Sequence, residues 1–260
     1  MFPIKDENPT LATPVVTYAL IVANVAAWLL VQGMGQSPAL EASVCQYGAI
    51  PGRLFGTILP GTRVSLGPDT LCRIGDFPAW ATVLSSMFLH GGWMHLIGNM
   101  WFLWIFGNNV EDSAGRGRFL LFYLACGALA VAAQSFASPD SAIPMVGASG
   151  AISGVMGGYI VLYPRVRVHL LVPLGFFITT FAVPAYFMLG YWFVLQLISN
   201  FAVRSEEGGG GVAFLAHAGG FVAGMVLVLI ARNRELVARR MAHNLPGWGP
   251  GGTDRGASFR

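Results

Sequence analysis

The distribution of charged residues constrains this chain more than any other feature of its sequence. Six stretches contain no Asp, Glu, Lys or Arg: residues 8–40, 77–110, 119–139, 141–164, 168–203 and 208–231, together 172 of the 260 residues. A helix needs about 20 mostly apolar residues to cross a bilayer, and each stretch is long enough. The chain is therefore predicted to be an all-α, polytopic membrane protein. Soluble enzymes, disordered chains and disulfide-rich secreted scaffolds are excluded.

Six spans are predicted, at about residues 14–32, 93–107, 118–136, 147–163, 183–200 and 212–231. The stretch 168–203 is long enough for one span or two, and the positive-inside rule decides between them. With one span, eleven basic residues fall on the side of both termini and four on the opposite side. We therefore expect both termini in the cytoplasm. We also expect residues 168–181 to form an interfacial or hairpin segment at the cytoplasmic face.

The predicted domain organisation has three parts. Residues 1–13 form a short cytoplasmic N-terminus, residues 14–231 a six-span membrane domain whose first run is a retained span, and residues 232–260 a basic cytoplasmic tail, disordered at its end. The net charge of +3 rests on arginines in short loops and the tail, so no nucleic-acid partner is expected.

Residues 35–78 form an external loop inside the membrane domain. A loop of this length is uncommon without a role, so a structured, functional loop is expected. It contains Cys45 and Cys72, and the sequence does not decide between a disulfide and two free thiols.

Polar side chains at membrane depth are costly and mark candidate functional sites. The predicted spans contain eight of interest: Asn24, His95, Asn99, Gln134, Ser149, Ser153, Gln196 and His217. Four of them, His95, Asn99, Ser149 and His217, come from three different spans. At 1.5 Å per residue all four lie within roughly 3–10 Å of the outer boundary. This shared depth predicts one site near the external face.

Ser149 has the surroundings of a nucleophile. It follows Gly147 and Ala148 where a loop becomes a helix, so unpaired backbone N–H groups and the positive end of the helix dipole surround it. A serine nucleophile needs a base within hydrogen-bond reach, and His217 lies at the right depth. Because no Asp or Glu occurs in a predicted span, the pair would be a Ser–His dyad. His95 and Asn99 could donate hydrogen bonds to a developing oxyanion.

Small residues favour a close approach of the fourth and sixth spans. Gly150, Gly154 and Gly158 form overlapping small-xxx-small repeats, and Gly220 and Gly224 follow His217 on one helix face. In lipid, tight helix packing depends on such residues. If the two faces meet, Ser149 and His217 are drawn together, although glycine spacing alone indicates only packing.

Three motifs resemble those of the rhomboid family of intramembrane serine proteases. The pattern H-x-x-x-x-H-x-x-x-N matches residues 90–99, G-x-S-G matches residues 147–150, and A-H-x-x-G-x-x-x-G matches residues 216–224. The motifs occur in the family's order and lie on the second, fourth and sixth predicted spans. The resemblance covers residues 14 to 231.

The resemblance implies a six-transmembrane-helix bundle of the bacterial rhomboid type in a bacterial inner membrane, with a site open to the external face. It implies hydrolysis of a peptide bond in or near the membrane segment of a transmembrane protein substrate, in contact with lipid and without a metal or cofactor. Ser149 would attack, and His217 would act as general base and then acid through an acyl-enzyme. The backbone N–H groups of Ser149 and Gly150, with His95 and Asn99, would hold the oxyanion.

Further residues take supporting roles by the same resemblance. Structural residues near the site would be His90, Gly147, Gly220 and Gly224. Trp192 and Phe193 on the fifth span, with the loop that contains the glycines 208–211, resemble the family's gate and cap.

The chain departs from the family pattern at two places. The Trp-Arg pair that many members carry in the first loop is Ala81 and Thr82 here, with Trp80 one residue earlier. The position at which some members have a Tyr stacked on the histidine is Ser153, which leaves open how His217 is held.

A catalytically silent rhomboid-like protein that binds transmembrane helices is the alternative. Such relatives usually lack the serine or the histidine, whereas both are present here. A transporter or channel is disfavoured because the two halves show no repeat and the polar cluster lies near one face. The substrate and the oligomeric state are left open.

Overall fold

The structure is a computed structural model that describes residues 2–67, 70–174, 177–204 and 214–244, and the chain is mostly helical. Its helices, in chain order, are α1 (Val15–Leu30), α2 (Ala39–Tyr47), α3 (Pro51–Leu54), α4 (Ala79–Ser85), α5 (Trp93–Phe102), α6 (Asn108–Ala114), α7 (Arg116–Ala137), α8 (Ser149–Leu162), α9 (Ala185–Arg204), α10 (Phe214–Ala231) and α11 (Arg234–Asn244). A π-helical segment, Leu103–Gly107, joins α5 to α6. Short 3₁₀ turns occupy Gly33–Gly35 and Ser86–Phe88.

Each predicted span coincides with helix, within the described residues. Two of these helices, α7 and α10, are long and apolar enough on their own to cross a membrane, and α1, α8 and the first part of α9 are apolar but shorter. The second predicted span was too short. The helix begun by α5 continues through α6 to Ala114 and ends at Gly115, whose φ of 85° a glycine adopts without strain. The number of membrane crossings, six, stays a prediction.

Helix α8 lies at the centre of the fold. Every residue from Gly150 to Tyr159 is buried. A helix buried on all sides needs partners all round, and α8 packs against α7, α10 and the π-helical segment. The surrounding core includes Trp28, Phe106 and Tyr123, none of them exposed.

The glycines of α8 and α10 bring the two helix backbones into contact. A methyl group built on Gly220 would lie 2.1 Å from the carbonyl oxygen of Gly150. One built on Gly224 would lie 1.9 Å from the carbonyl oxygen of Gly154. The two glycine faces, whose meeting the sequence left as a condition, do meet, and we call this contact the glycine seam. Cys126 packs against Gly154 from α7 and is itself fully buried.

The all-α prediction has to be corrected for two small antiparallel sheets. Strands β1 (Phe2–Asp6), β4 (Arg167–Leu174) and β5 (Phe177–Pro184) form one sheet in the order β1-β4-β5. Strands β2 (Arg63–Gly67) and β3 (Thr70–Arg73) form the other. The predicted hairpin at residues 168–181 is therefore a β-hairpin, and eight of the fourteen residues of its charge-free sequence are Val, Ile, Thr or Phe, which favour strands.

The described part of the loop over residues 35–78 is structured, as predicted. It contains α2, α3 and the β2–β3 pair, and Cys45 and Cys72 are joined by a disulfide. Ile50 and Ile74 pack with the disulfide in a small core of their own. By the chain-entropy account, closing a loop of 27 residues stabilises the fold by about 3 kcal/mol.

The N-terminal strand, the β4–β5 hairpin and α11 converge on the C-terminal end of α8. We call this the Arg240 end, because Arg240 of α11 is buried there, and we call the opposite end of α8 the Ser149 end. Arg240 was predicted to lie in a basic tail, but its guanidinium pairs with Asp112 at 2.8 Å and contacts Asn8 and Asn109. It also lies 5.0 Å above the ring of Tyr163. The tail thus begins as a docked helix, and residues 245–260 lie outside the described residues.

Candidate active site

A cavity of about 870 Å³ opens at the Ser149 end between α5, α7, α8, α9 and α10. Its lining includes His95, Asn99, Ser149 and His217, so the structure brings all four candidates from the sequence together. The lining also includes Gln196 of α9. Among the described residues, no group of three or more His, Cys, Asp or Glu is arranged to hold a metal ion.

Ser149 is the first residue of α8, directly after a turn that requires a glycine. Gly147 has a φ of 122°, and a methyl group built on it would lie 2.7 Å from the ring of His95. Only glycine therefore meets both demands at this position. The N–H of Gly147 donates to the carbonyl of Ser86 at 2.9 Å, which fixes the turn. The N–H groups of Ser149 and Gly150 belong to the first helical turn, where no intrahelical acceptor exists.

The hydroxyl of Ser149 and the ring of His217 are in hydrogen-bond contact. The distance from Oγ to Nε2 is 2.8 Å. The glycine seam explains this approach, because it lets α10 lie directly against α8 from Gly150, the residue after Ser149, and Gly220, three residues after His217. The other ring nitrogen of His217, Nδ1, lies 2.9 Å from Oε1 of Gln196.

His95 and Asn99 point two donors toward the turn before Ser149. The N–H of Gly91 approaches Nδ1 of His95 at 3.4 Å, a long contact in which Nδ1 is the acceptor. The ring proton then lies on Nε2, the nitrogen next to Gly147. The amide nitrogen of Asn99 lies near the same glycine, is buried, and has no acceptor among the described residues.

His90 and the seam glycines hold this arrangement from outside. His90 is fully buried. Its backbone N–H donates to the side-chain oxygen of Gln32, and its carbonyl accepts from the side-chain nitrogen of the same residue, both at 2.8 Å. Gln32 lies two residues after the end of α1. The ring of His90 lies against that of His95, 5.2 Å between centroids. Gly220 and Gly224 contribute through the seam described above.

The side chain of Ser153 does not form a hydrogen bond with the ring of His217. Its hydroxyl donates back to the carbonyl of Ser149 at 2.6 Å. Instead, α9 flanks the histidine: the Trp192 ring lies 6.0 Å from that of His217, and Phe193 stacks on Phe221 at 4.9 Å. Gln196 was recognised in the sequence only as one polar residue of the fifth span. The loop with glycines 208–211 lies outside the described residues, so its predicted role as a cap stays a prediction.

Comparison with known proteins gives a consistent result. The family model of the rhomboid domain matches residues 78–234. The chain is 37% identical over 121 residues to "Rhomboid protease GluP" of Bacillus subtilis, which covers 46% of this chain and 23% of that protein. It is 38% identical over 89 residues to "Rhomboid-like protein 11, chloroplastic" of Arabidopsis thaliana, 34% of this chain and 31% of that protein.

A third relative is the "Putative rhomboid protease YdcA" of Bacillus subtilis, 32% identical over 105 residues, 39% of this chain and 52% of that protein. The chain thus spans between about a quarter and a half of the length of these relatives. They come from both a bacterium and a plant, so the similarity is not confined to bacterial members.

Proposed function

This chain belongs to the rhomboid family, and on that basis we propose that it is an intramembrane serine endopeptidase that cleaves transmembrane protein substrates. The observation that carries the proposal is the 2.8 Å contact between Ser149 Oγ and His217 Nε2 at the start of a buried helix. A nucleophile and a base within hydrogen-bond reach are the minimum for acyl transfer.

The proposed reaction has two halves. Ser149 Oγ attacks the scissile carbonyl carbon while its proton passes to Nε2 of His217. The tetrahedral intermediate collapses when the C–N bond breaks, and the leaving amine takes the proton from His217. Water then loses a proton to His217 and attacks the acyl carbon. The ester C–O bond breaks, Ser149 Oγ takes the proton back from His217, and the second product leaves as a carboxylic acid.

The oxyanion of both intermediates is assigned to four donors: the backbone N–H groups of Ser149 and Gly150, Nε2 of His95 and Nδ2 of Asn99. The two side-chain donors already converge beside Gly147, so little reorganisation is needed when charge develops. Such preorganised donors are worth about 10²–10³-fold in rate each.

The proposed membrane arrangement follows from the positions of the basic residues. Residues 14–231 form the membrane domain, with six crossings, both termini in the cytoplasm and the Ser149 end facing the external side. Support comes from the Arg240 end, where the N-terminal strand, the β4–β5 hairpin and α11 lie together as the charge count requires. A bacterial plasma membrane stays a prediction, and cell fractionation tests it.

A fluorophosphonate probe tests the nucleophile directly. We expect the purified protein to be labelled, and the variants Ser149→Ala and His217→Ala to lose both labelling and cleavage of a reporter transmembrane substrate. The matched control is Ser153→Ala, one helical turn further along α8, which should still be labelled. If Ser149→Ala is labelled like the unmodified protein, Ser149 is not the nucleophile. If the unmodified protein binds the reporter without producing new termini, it is a silent helix-binding relative.

A further inference from the structure

Gln196 is the partner of the ring nitrogen of His217 that does not face Ser149. Its Oε1 lies 2.9 Å from Nδ1, while Nε2 lies 2.8 Å from Ser149 Oγ. An amide oxygen accepts hydrogen bonds but cannot donate them, so the proton between the two residues belongs to Nδ1. Nε2 therefore carries the lone pair and can accept the proton of Ser149.

We propose that Gln196 is the positioning residue of this site: its amide oxygen selects the Nδ1-protonated tautomer of His217 and fixes the ring toward Ser149. This inference deepens the proposed function and depends on it, because it names the group that orients the base. When the proton of Ser149 reaches Nε2, the bond from Nδ1–H to Oε1 persists and faces the imidazolium with the negative end of the amide dipole.

None of the other described groups around His217 accepts a hydrogen bond from its Nδ1. In a serine triad a carboxylate orients the histidine, but no Asp or Glu lines the described part of this cavity. Ser153, one turn after Ser149, donates to the helix backbone. Trp192 lies beside the ring at 6.0 Å between centroids, a packing contact that does not select a tautomer.

The location of Gln196 links the base to the placement of α9. Gln196 and Trp192 are four residues apart, so they share the helix face that meets α10. The side chains of Val194, Leu195 and Ile198 are exposed. Since α9 carries the acceptor, the tautomer of His217 depends on α9 lying against α10.

Substitutions that keep or remove the acceptor oxygen test the proposal. Gln196→Met has nearly the same length without an acceptor, whereas Gln196→Glu keeps an oxygen in the same place. We expect Gln196→Met to lower kcat about tenfold to a hundredfold with little change in KM, and Gln196→Glu to recover most of the loss. The control Ile198→Met changes an exposed residue of the same helix and should behave like the unmodified protein.

A spectroscopic measurement separates positioning from a merely structural effect. The ¹⁵N signals of the His217 ring, assigned by their absence in His217→Gln, should show a protonated Nδ1 in the unmodified protein and a tautomer mixture in Gln196→Met. Unchanged kcat and unchanged ring signals in Gln196→Met would overturn the inference. If the unmodified protein is not labelled by the fluorophosphonate, the proposed function fails, but the ring signals still decide whether Gln196 sets the tautomer.

Discussion

At the Ser149 end of α8, the buried amide nitrogen of Asn99 has no acceptor among the described residues, while at the Arg240 end a buried guanidinium is surrounded by acceptors. Arg240 donates to Asp112, to Asn8 and to Asn109, and a tyrosine ring covers its face. Both ends bury polar groups next to the same central helix. The difference is that both terminal nitrogens of Arg240 are paired within the fold, with only its Nε left without a partner among the described residues, whereas Asn99 at the other end keeps a donor directed at a cavity.

This difference separates two uses of buried polarity. A paired group holds segments together, and removing one partner leaves the other buried and uncompensated. An unpaired donor lowers stability and is retained where it has a ligand or a transition state to bind. The two ends should therefore respond oppositely to substitution, with stability changing at the Arg240 end and rate at the Ser149 end.

The largest effect is expected from breaking the pairing at the Arg240 end. Arg240→Met leaves Asp112 buried without its cation, which should lower the free energy of unfolding by about 3–5 kcal/mol. Thermal or denaturant unfolding in detergent measures this, and kcat of the remaining folded protein should be little changed.

Arg239→Met is the matched control, because Arg239 is exposed on the same helix. The double variant Arg240→Met/Asp112→Leu should be more stable than Arg240→Met alone. A single variant as stable as the control would show that the ion pair does not hold α11.

A smaller effect is expected from removing the unpaired donor at the Ser149 end. Asn99→Leu has a similar volume but no N–H, so it should lower kcat/KM about 10²–10³-fold, equivalent to about 3–4 kcal/mol of transition-state stabilisation. Its melting temperature should be equal or higher, because a buried unsatisfied group is lost. Cleavage of the reporter substrate beside a melting curve measures both, and a variant that loses stability rather than rate would remove the contrast between the ends.

The smallest effect on stability is expected from Asp6 at the Arg240 end, because burial disfavours the charged form of its carboxyl group. Burial raises its pKa from 3.8 to about 6, although the hydroxyl of Tyr159 donates to it at 2.5 Å and the charge of Arg240 opposes the shift. The folded state thus binds this proton more tightly than the unfolded state. The resulting stability is fully present below about pH 3.8 and is lost as the pH rises through about 6.

Melting temperatures between pH 4 and 7 measure this contribution against Asp6→Asn, in which it is absent. Because Asp6 is only partly buried, we expect a difference of about 1 kcal/mol across the interval. Identical pH dependence in the two proteins would mean that Asp6 titrates as it does in the unfolded chain.

The sequence predicted best what depends on spacing along one helix. Depth along a span follows from residue number, so Ser149 and His217 were placed at one level, and their glycines predicted the seam. Gln196 was not singled out because the fifth span is apolar on nearly every face. Its sequence therefore does not show which face of α9 contacts α10. The burial of Arg240 depends on a carboxylate 128 residues earlier in the chain, and the β-hairpin has the same charge-free composition as a span.

The glycine seam has a consequence for how this gene tolerates change. Every amino-acid replacement of a glycine introduces a larger side chain, and at Gly220 and Gly224 even a methyl group would overlap a carbonyl oxygen of α8. We therefore expect no amino-acid replacement at these two positions to be nearly neutral. A saturation mutagenesis screen for proteolysis should find them as intolerant as Ser149, although neither glycine has any chemistry of its own.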